Sequence, residues 1–126
     1  MNWNFSNDAP IYSQLIEHIK AAIVTGQFAP GQRLPSVRDI AAEAGVNPNT
    51  MQRAFSELER EGLVYSQRTS GRCVTEEQAV IDKTKAALAV KHIDAFLAAM
   101  EALGYSGPEA AAALTQALER KGDELK

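Results

Sequence analysis

One cysteine, Cys73, stands in the whole 126-residue chain, so no internal disulfide framework is available. Long apolar runs are missing too: nothing approaches the roughly 18 residues that a bilayer crossing demands. Met1-Asn2-Trp3-Asn4-Phe5 lacks the basic segment and apolar stretch of a secretion signal, and the expected location is the cytoplasm. The only histidines, His18 and His92, fall on separate predicted helices. No ligand-spaced cysteine or carboxylate cluster accompanies them, so neither a metal nor a cofactor is expected. A Ser-His-Asp set, a phosphate loop and paired catalytic carboxylates are likewise missing, which argues against an enzyme.

What is present suits a globular chain. Hydrophobic residues make up 45% and charged residues 23%. The net charge of −3 looks unfavourable for a nucleic-acid partner, but it is unevenly spread. Residues 1–75 hold seven basic and seven acidic side chains, and residues 76–126 hold six and nine. Local clustering governs phosphate binding, so the total decides nothing.

The expected fold class is mainly α with a small β-hairpin. An N-terminal winged helix-turn-helix would occupy residues 1–76, and a two-helix dimerisation segment residues 77–126. Ile11, Leu15, Ile19 and Ile23, with Tyr12 and Ile16 beside them, form an apolar stripe that predicts a first helix, with Asp8 as its N-cap and Gly26 as its stop. Pro30-Gly31 predicts a turn followed by a short extended piece through Arg33 to Pro35. Ser36-Val37-Arg38-Asp39 has the capping-box pattern, and Val37, Ile40, Ala41 and Ala44 give a helix of about nine residues ended by Gly45. Asn47 as N-cap and Pro48 at the first position start another helix at once. Two capped helices about a tight glycine turn, at about 37–56, are the sequence form of a helix-turn-helix. Beyond Gly62, Leu63–Ser66 and Arg72–Thr75 flank Thr69-Ser70-Gly71 as a hairpin, the wing. A long amphipathic helix over Ala79–Gly104 and a second through Ala112, Leu114 and Leu118 follow, with Ser106 to Glu109 as a capping box between them.

The helix that starts at Pro48 sorts by face. Met51, Ala54, Phe55 and Leu58 point one way, and Asn49, Gln52, Arg53 and Ser56 the other. Asn and Gln pair with adenine and Arg with guanine, so the second face is suited to base edges. Glu57, Glu59 and Glu61 would repel phosphate, which directs the N-terminal half, with its positive dipole end, into the groove. Arg33, Arg38, Arg68 and Arg72 flank this helix as phosphate grips. Ser36 would add a backbone contact, and Arg68, Thr69, Ser70 and Gly71 would form the reaching tip of the wing. Cys73 on the wing strand fits a small packed hydrophobe better than a thiol switch. Trp3 and Phe5 are expected to dock on the first helix or on a dimer partner, with core packing the simpler reading.

Pro10-Ile11-Tyr12-Ser13-Gln14-Leu15, Gly31 to Ala41, Gly45 to Thr50 and Leu58 to Val64 together resemble the GntR family of bacterial regulators. The resemblance covers about residues 9–75. It implies DNA contacts at Arg38, at Pro48, Asn49, Thr50 and Gln52 with Arg53 adjacent, and at the wing glycine, Gly71; Asn47, the N-cap, is counted with them as a candidate DNA-binding residue. Thr69 and Cys73 replace a glycine and an aromatic residue that many members carry in the wing, and Pro48 stands where many place a basic residue. The short tail is similar to that of the YtrA-like subfamily, which implies dimerisation and often repression of transporter operons. Two short helices cannot bury their own large residues and must dock on a partner or fold back on the first domain; in the dimer reading Leu88, Ile93, Phe96, Leu97, Met100, Leu103, Leu114 and Leu118 are the expected contacts. The expectation is a repressor binding a palindromic operator in double-stranded DNA as a homodimer. A small-molecule effector remains open, with no residue signature for it. The competing reading is a winged-helix protein-interaction module, which calls for apolar residues on the exposed face of the recognition helix.

Overall fold

Leu15, Ile19 and Ile23 recur every four residues, and the segment from Ile11 to Val24 closes into helix α1 (Ile11–Val24) with those three residues fully buried. The remaining elements of the computed structural model, which describes residues 1–69 and 71–124, are α2 (Val37–Ala44), α3 (Pro48–Arg60), β1 (Val64–Gln67), β2 (Gly71–Val74), α4 (Gln78–Ala102) and α5 (Gly107–Glu124). The architecture is mainly helical with one antiparallel hairpin, as the residue pattern predicts. Contacts divide the chain into two units, Met1–Ala86 and Ala87–Lys126.

In the first unit, α1, α2 and α3 enclose a core of Leu15, Ile19, Ile23, Ile40, Met51, Phe55 and Leu58, and the hairpin closes it with Val64 and Val74. Burying each such side chain contributes about 2 kcal/mol, so this apolar cluster is what holds the reading helix in place. The hairpin register is Val64↔Val74, Tyr65↔Cys73, Ser66↔Arg72 and Gln67↔Gly71. The extended piece before α2 is not free-standing. Arg33 bridges Cys73, the amide of Leu34 donates to Arg72 O at 2.8 Å, and that of Val74 to Gln32 O at 2.9 Å. An isolated β-bridge therefore flanks β2 and ties the wing to the segment before α2. Cys73 is buried within this arrangement.

Two expectations for α1 are corrected. Asp8 is not the N-cap. Pro10 takes that position at φ −58° and ψ 144° with no side-chain cap, since its fixed φ sets the extended residue two places after Asp8. Gln14 reaches back instead, its Nε2 donating to Ser6 O at 2.9 Å and Ala9 O at 2.7 Å while its Oε1 accepts from the Ser6 amide. Ile11 is 40% exposed, because the first turn projects beyond the core. Trp3 and Phe5 pack on α1 through His18, with ring centroids 5.6 and 5.4 Å away.

A correction applies to α4 as well. It is not amphipathic along one stripe. Ile81 is buried in the first unit's core with Val80 packed against it, whereas Val90 lies nine residues on, about 180° round the helix, and is 55% exposed. The boundary between the two units falls within this helix, between Ala86 and Ala87. In the second unit the capping box forms in both directions: Glu109 N donates to Ser106 Oγ at 3.2 Å, and Ser106 N to Glu109 Oε1 at 2.9 Å. Ala110 is buried and Ala113 and Ala117 half-buried, so small residues form the inward face of α5.

Candidate nucleic-acid interface

The interface is built on the turn between α2 and α3. Ser36 caps α2, its Oγ accepting from the Asp39 amide at 3.1 Å, and this places Arg38 exposed in the first turn. Gly45 ends α2 in the left-handed region, at φ 72° and ψ 34°, which a Cβ would penalise. The Val46 amide then donates to Ala41 O, and α3 begins two residues later.

At the start of α3 the backbone donors are already used. Asn47 Oδ1 accepts from the Asn49 amide at 2.8 Å, Pro48 has no N–H, and the Thr50 amide donates to Asn47 O at 3.0 Å. A bound phosphate therefore finds the helix dipole at this end but no vacant first-turn amide, and side chains must make the contacts. Met51, Ala54, Phe55 and Leu58 are buried, so Asn49, Gln52, Arg53 and Ser56 are turned outward. Gln52 Nε2 lies 3.4 Å from Ser56 Oγ, a long hydrogen bond that leaves the amide group at the surface. Thr50 is half-buried.

Arg53 does not stand free. Its guanidinium lies 4.7 Å from the centroid of the Tyr12 ring on α1, a cation–π stack that draws it toward that helix. Arg72 is also engaged. It is half-buried, donates from Nε to Glu59 Oε1 at 3.3 Å, and lies 5.5 Å over the Phe55 ring. By contrast, Arg33, Arg38 and Arg68 present exposed guanidinium groups that no carboxylate among the described residues engages. Arg33, Ser36, Ser66, Gln67 and Arg72 line a groove of about 400 Å³ between the wing and the start of α2. Thr69 and Gly71 are exposed at the wing, Gly71 at φ 73°, while Ser70 lies outside the described residues.

The acids at the far end of α3 prove to be paired, which corrects the view of them as bare repulsive charges. Arg60 engages both oxygens of Glu57, Lys20 meets Glu61 at 3.2 Å, and Arg72 meets Glu59. The Arg60 hydrogen bond holds the Glu57 carboxyl below its usual range, and the Ser66 hydroxyl, followed by Arg72, does the same for Glu59. Three of the seven acids in residues 1–75 are thus neutralised by three of the seven bases. The unpaired arginines lie on the wing and at the start of α2, so residues 1–75, formally neutral as a whole, present local positive charge beside the exposed face of α3. Sequence reasoning missed Tyr12, Gln67 and the Glu59 linkage. Gln67 was recognisable as a polar strand-end residue beside Arg68, whereas the other two depend on contacts between separate elements.

Among the described residues no group of three or more His, Cys, Asp or Glu is placed to hold a metal, and no helix is long and apolar enough to cross a membrane.

The family model described as bacterial regulatory proteins, gntR family, matches residues 11–74. The chain is 37% identical over 109 residues to the uncharacterized HTH-type transcriptional regulator YhcF of Bacillus subtilis, covering 86% of this chain and 90% of YhcF. It is 41% identical over 70 residues to the HTH-type transcriptional repressor YtrA of the same organism, covering 56% of this chain and 54% of YtrA. A GntR family transcriptional regulator from Listeria monocytogenes superposes with a TM-score of 0.79 at 34% identity, covering 89% of this chain and 98% of that one. The DNA-binding domain of AraR, solved in complex with operator ORX1, superposes at 0.51 and 29% identity over 60% of this chain and 92% of that one.

Proposed function

The chain belongs to the gntR family of bacterial regulatory proteins, and from that premise we propose that it is a sequence-specific transcription regulator, a repressor that binds a palindromic operator as a homodimer and has no enzymatic activity. The observation that carries this reading is the exposed Asn49, Gln52 and Ser56 face of α3, flanked by the unpaired Arg33, Arg38 and Arg68. In this reading Asn49 and Gln52 read base edges, with Thr50 and Arg53 beside them, and Ser36, Arg38, Arg68, Thr69 and Gly71 hold the sugar–phosphate backbone. The likeness to a DNA-binding domain solved on its operator supports the same docking, α3 in the major groove and the wing alongside. A protein-interaction module would instead expose apolar residues on α3, and the large exposed apolar residues lie elsewhere.

Those residues support the homodimer. In the second unit Val90 and Ile93 are 55% exposed, Leu103 74% and Leu118 60%, with Leu97 and Leu114 exposed beside half-buried Leu88, Phe96 and Met100. A second copy of the same surface covers such a patch and supplies the twofold axis that a palindrome requires.

Affinity for duplex DNA from upstream of the chain's own gene, measured by fluorescence anisotropy over a salt series, separates the roles. Arg38→Ala weakens binding to every sequence and lowers the slope of log K against log salt by about 0.9, the value of one phosphate contact. Gln52→Ala leaves that slope alone and changes which base substitutions in the site are tolerated. Equal loss on all sequences from both variants would contradict the assignment.

A further inference from the structure

We propose that Glu59 is a positioning residue for DNA binding: it fixes the wing against the recognition helix by holding Ser66 and Arg72 on one carboxylate oxygen. The inference rests on the operator-binding reading above and deepens it.

Glu59 would ordinarily be counted as a liability. It is an acid on the reading helix of a protein that must approach phosphates, and removing it should tighten binding if its charge acts through space alone. Its contacts point the other way. Ser66 and Arg72 are directly opposed across the hairpin, one on β1 and one on β2. Both converge on Glu59 Oε1, the hydroxyl donating at 2.7 Å and the Arg72 Nε at 3.3 Å. A single oxygen on α3 thus ties both strands of the wing at the same rung, just before the turn that carries Arg68 and Thr69. The Arg72 guanidinium also covers the Phe55 ring, one helical turn before Glu59, which closes the attachment from the apolar side. With the Ser66 hydroxyl as the principal cause, the Glu59 carboxyl is kept in its charged, accepting form.

The consequence for Arg72 is a change of role. Engaged by Glu59 and Phe55, it serves as a strut of the wing, and the phosphate grips are Arg33, Arg38 and Arg68. Without the attachment, the wing samples orientations relative to α3 and each binding event must order it, which lowers affinity without removing any charge contact to DNA. The two roles differ in what salt does to them.

Anisotropy titrations on the upstream duplex that the wild type binds, repeated at several salt concentrations, distinguish them. Glu59→Ala is expected to lose affinity about tenfold with the salt slope unchanged, and Glu59→Gln to recover part of it, because the amide oxygen still accepts from Ser66. Ser66→Ala, a change at an exposed strand position that leaves folding intact, loses affinity in the same direction. Adding Arg72→Gln to Glu59→Ala costs little more, since both remove one attachment. Binding by Glu59→Ala as tight as wild type or tighter, no loss in Ser66→Ala, or a fall of about one unit in salt slope for Arg72→Gln would each overturn the inference while the operator-binding reading stands. A wild type that fails to distinguish this duplex from unrelated DNA would overturn both.

Discussion

Gly45 turns the chain between α2 and α3 at φ 72° and ψ 34°, and a Cβ placed there meets nothing within 4 Å. The cost of a side chain is therefore backbone strain alone. Gly45→Ala is expected to lower stability by about 1 kcal/mol, read from urea unfolding, and Gly45→Asn by less because Asn tolerates the left-handed region. An alanine variant as stable as the parent would contradict this. At this scale the sequence was informative wherever a residue acts on its immediate neighbours. Ser36, Asn47 and Ser106 cap the helices their spacing predicts, and the buried and exposed faces of α3 divide as a 3.6-residue period requires. Side chains with partners on another element were not legible. Arg53 on Tyr12 and Arg72 on Glu59 read as free cations in one dimension and are engaged in three.

Elements show the same divide. The hairpin follows from two β-prone runs about a glycine turn, but the β-bridge at Arg33 does not, since the hydrogen bonds on either side of it, to Arg72 and Val74, require the chain to return after about 40 residues. The apolar residues of α4 pass for one stripe in sequence because nothing in one dimension marks Ala86 and Ala87, where one compact unit ends and the next begins. The charge pairs at the C-terminal end of α3 make a prediction for that element. Glu57 is held below its ordinary carboxylate range by Arg60, and Glu59 by Ser66. A folded-state pKa below the unfolded value means that their contribution is fully present above the ordinary range. It is lost as pH falls through the lower folded values. Glu109 in its capping box and Glu43, bonded to the N-terminal ammonium, shift in the same sense. Melting temperature should therefore fall between pH 5 and pH 3, and Glu57→Gln should flatten part of that decline. A melting temperature independent of pH over this interval would refute the linkage.

For the whole molecule the question is how a winged region with balanced charge over residues 1–75 holds DNA. Three unpaired arginines and a polar helix face supply few contacts, and the homodimer proposed above would double the reader. A charge introduced into the exposed apolar surface tests that proposal: Leu97→Lys should give a monomer by sedimentation velocity and weaken operator binding at least tenfold, with both units still helical by circular dichroism. An unchanged dimer would move the interface elsewhere. The central claim, a twofold operator reader, is tested most directly by selecting bound duplexes from a random-sequence library with the intact wild-type protein. A twofold reader enriches an inverted repeat with half-site centres about one helical turn, roughly 10 base pairs, or a multiple of it apart. Recovery of no shared sequence, or of a single unrepeated site, would contradict it.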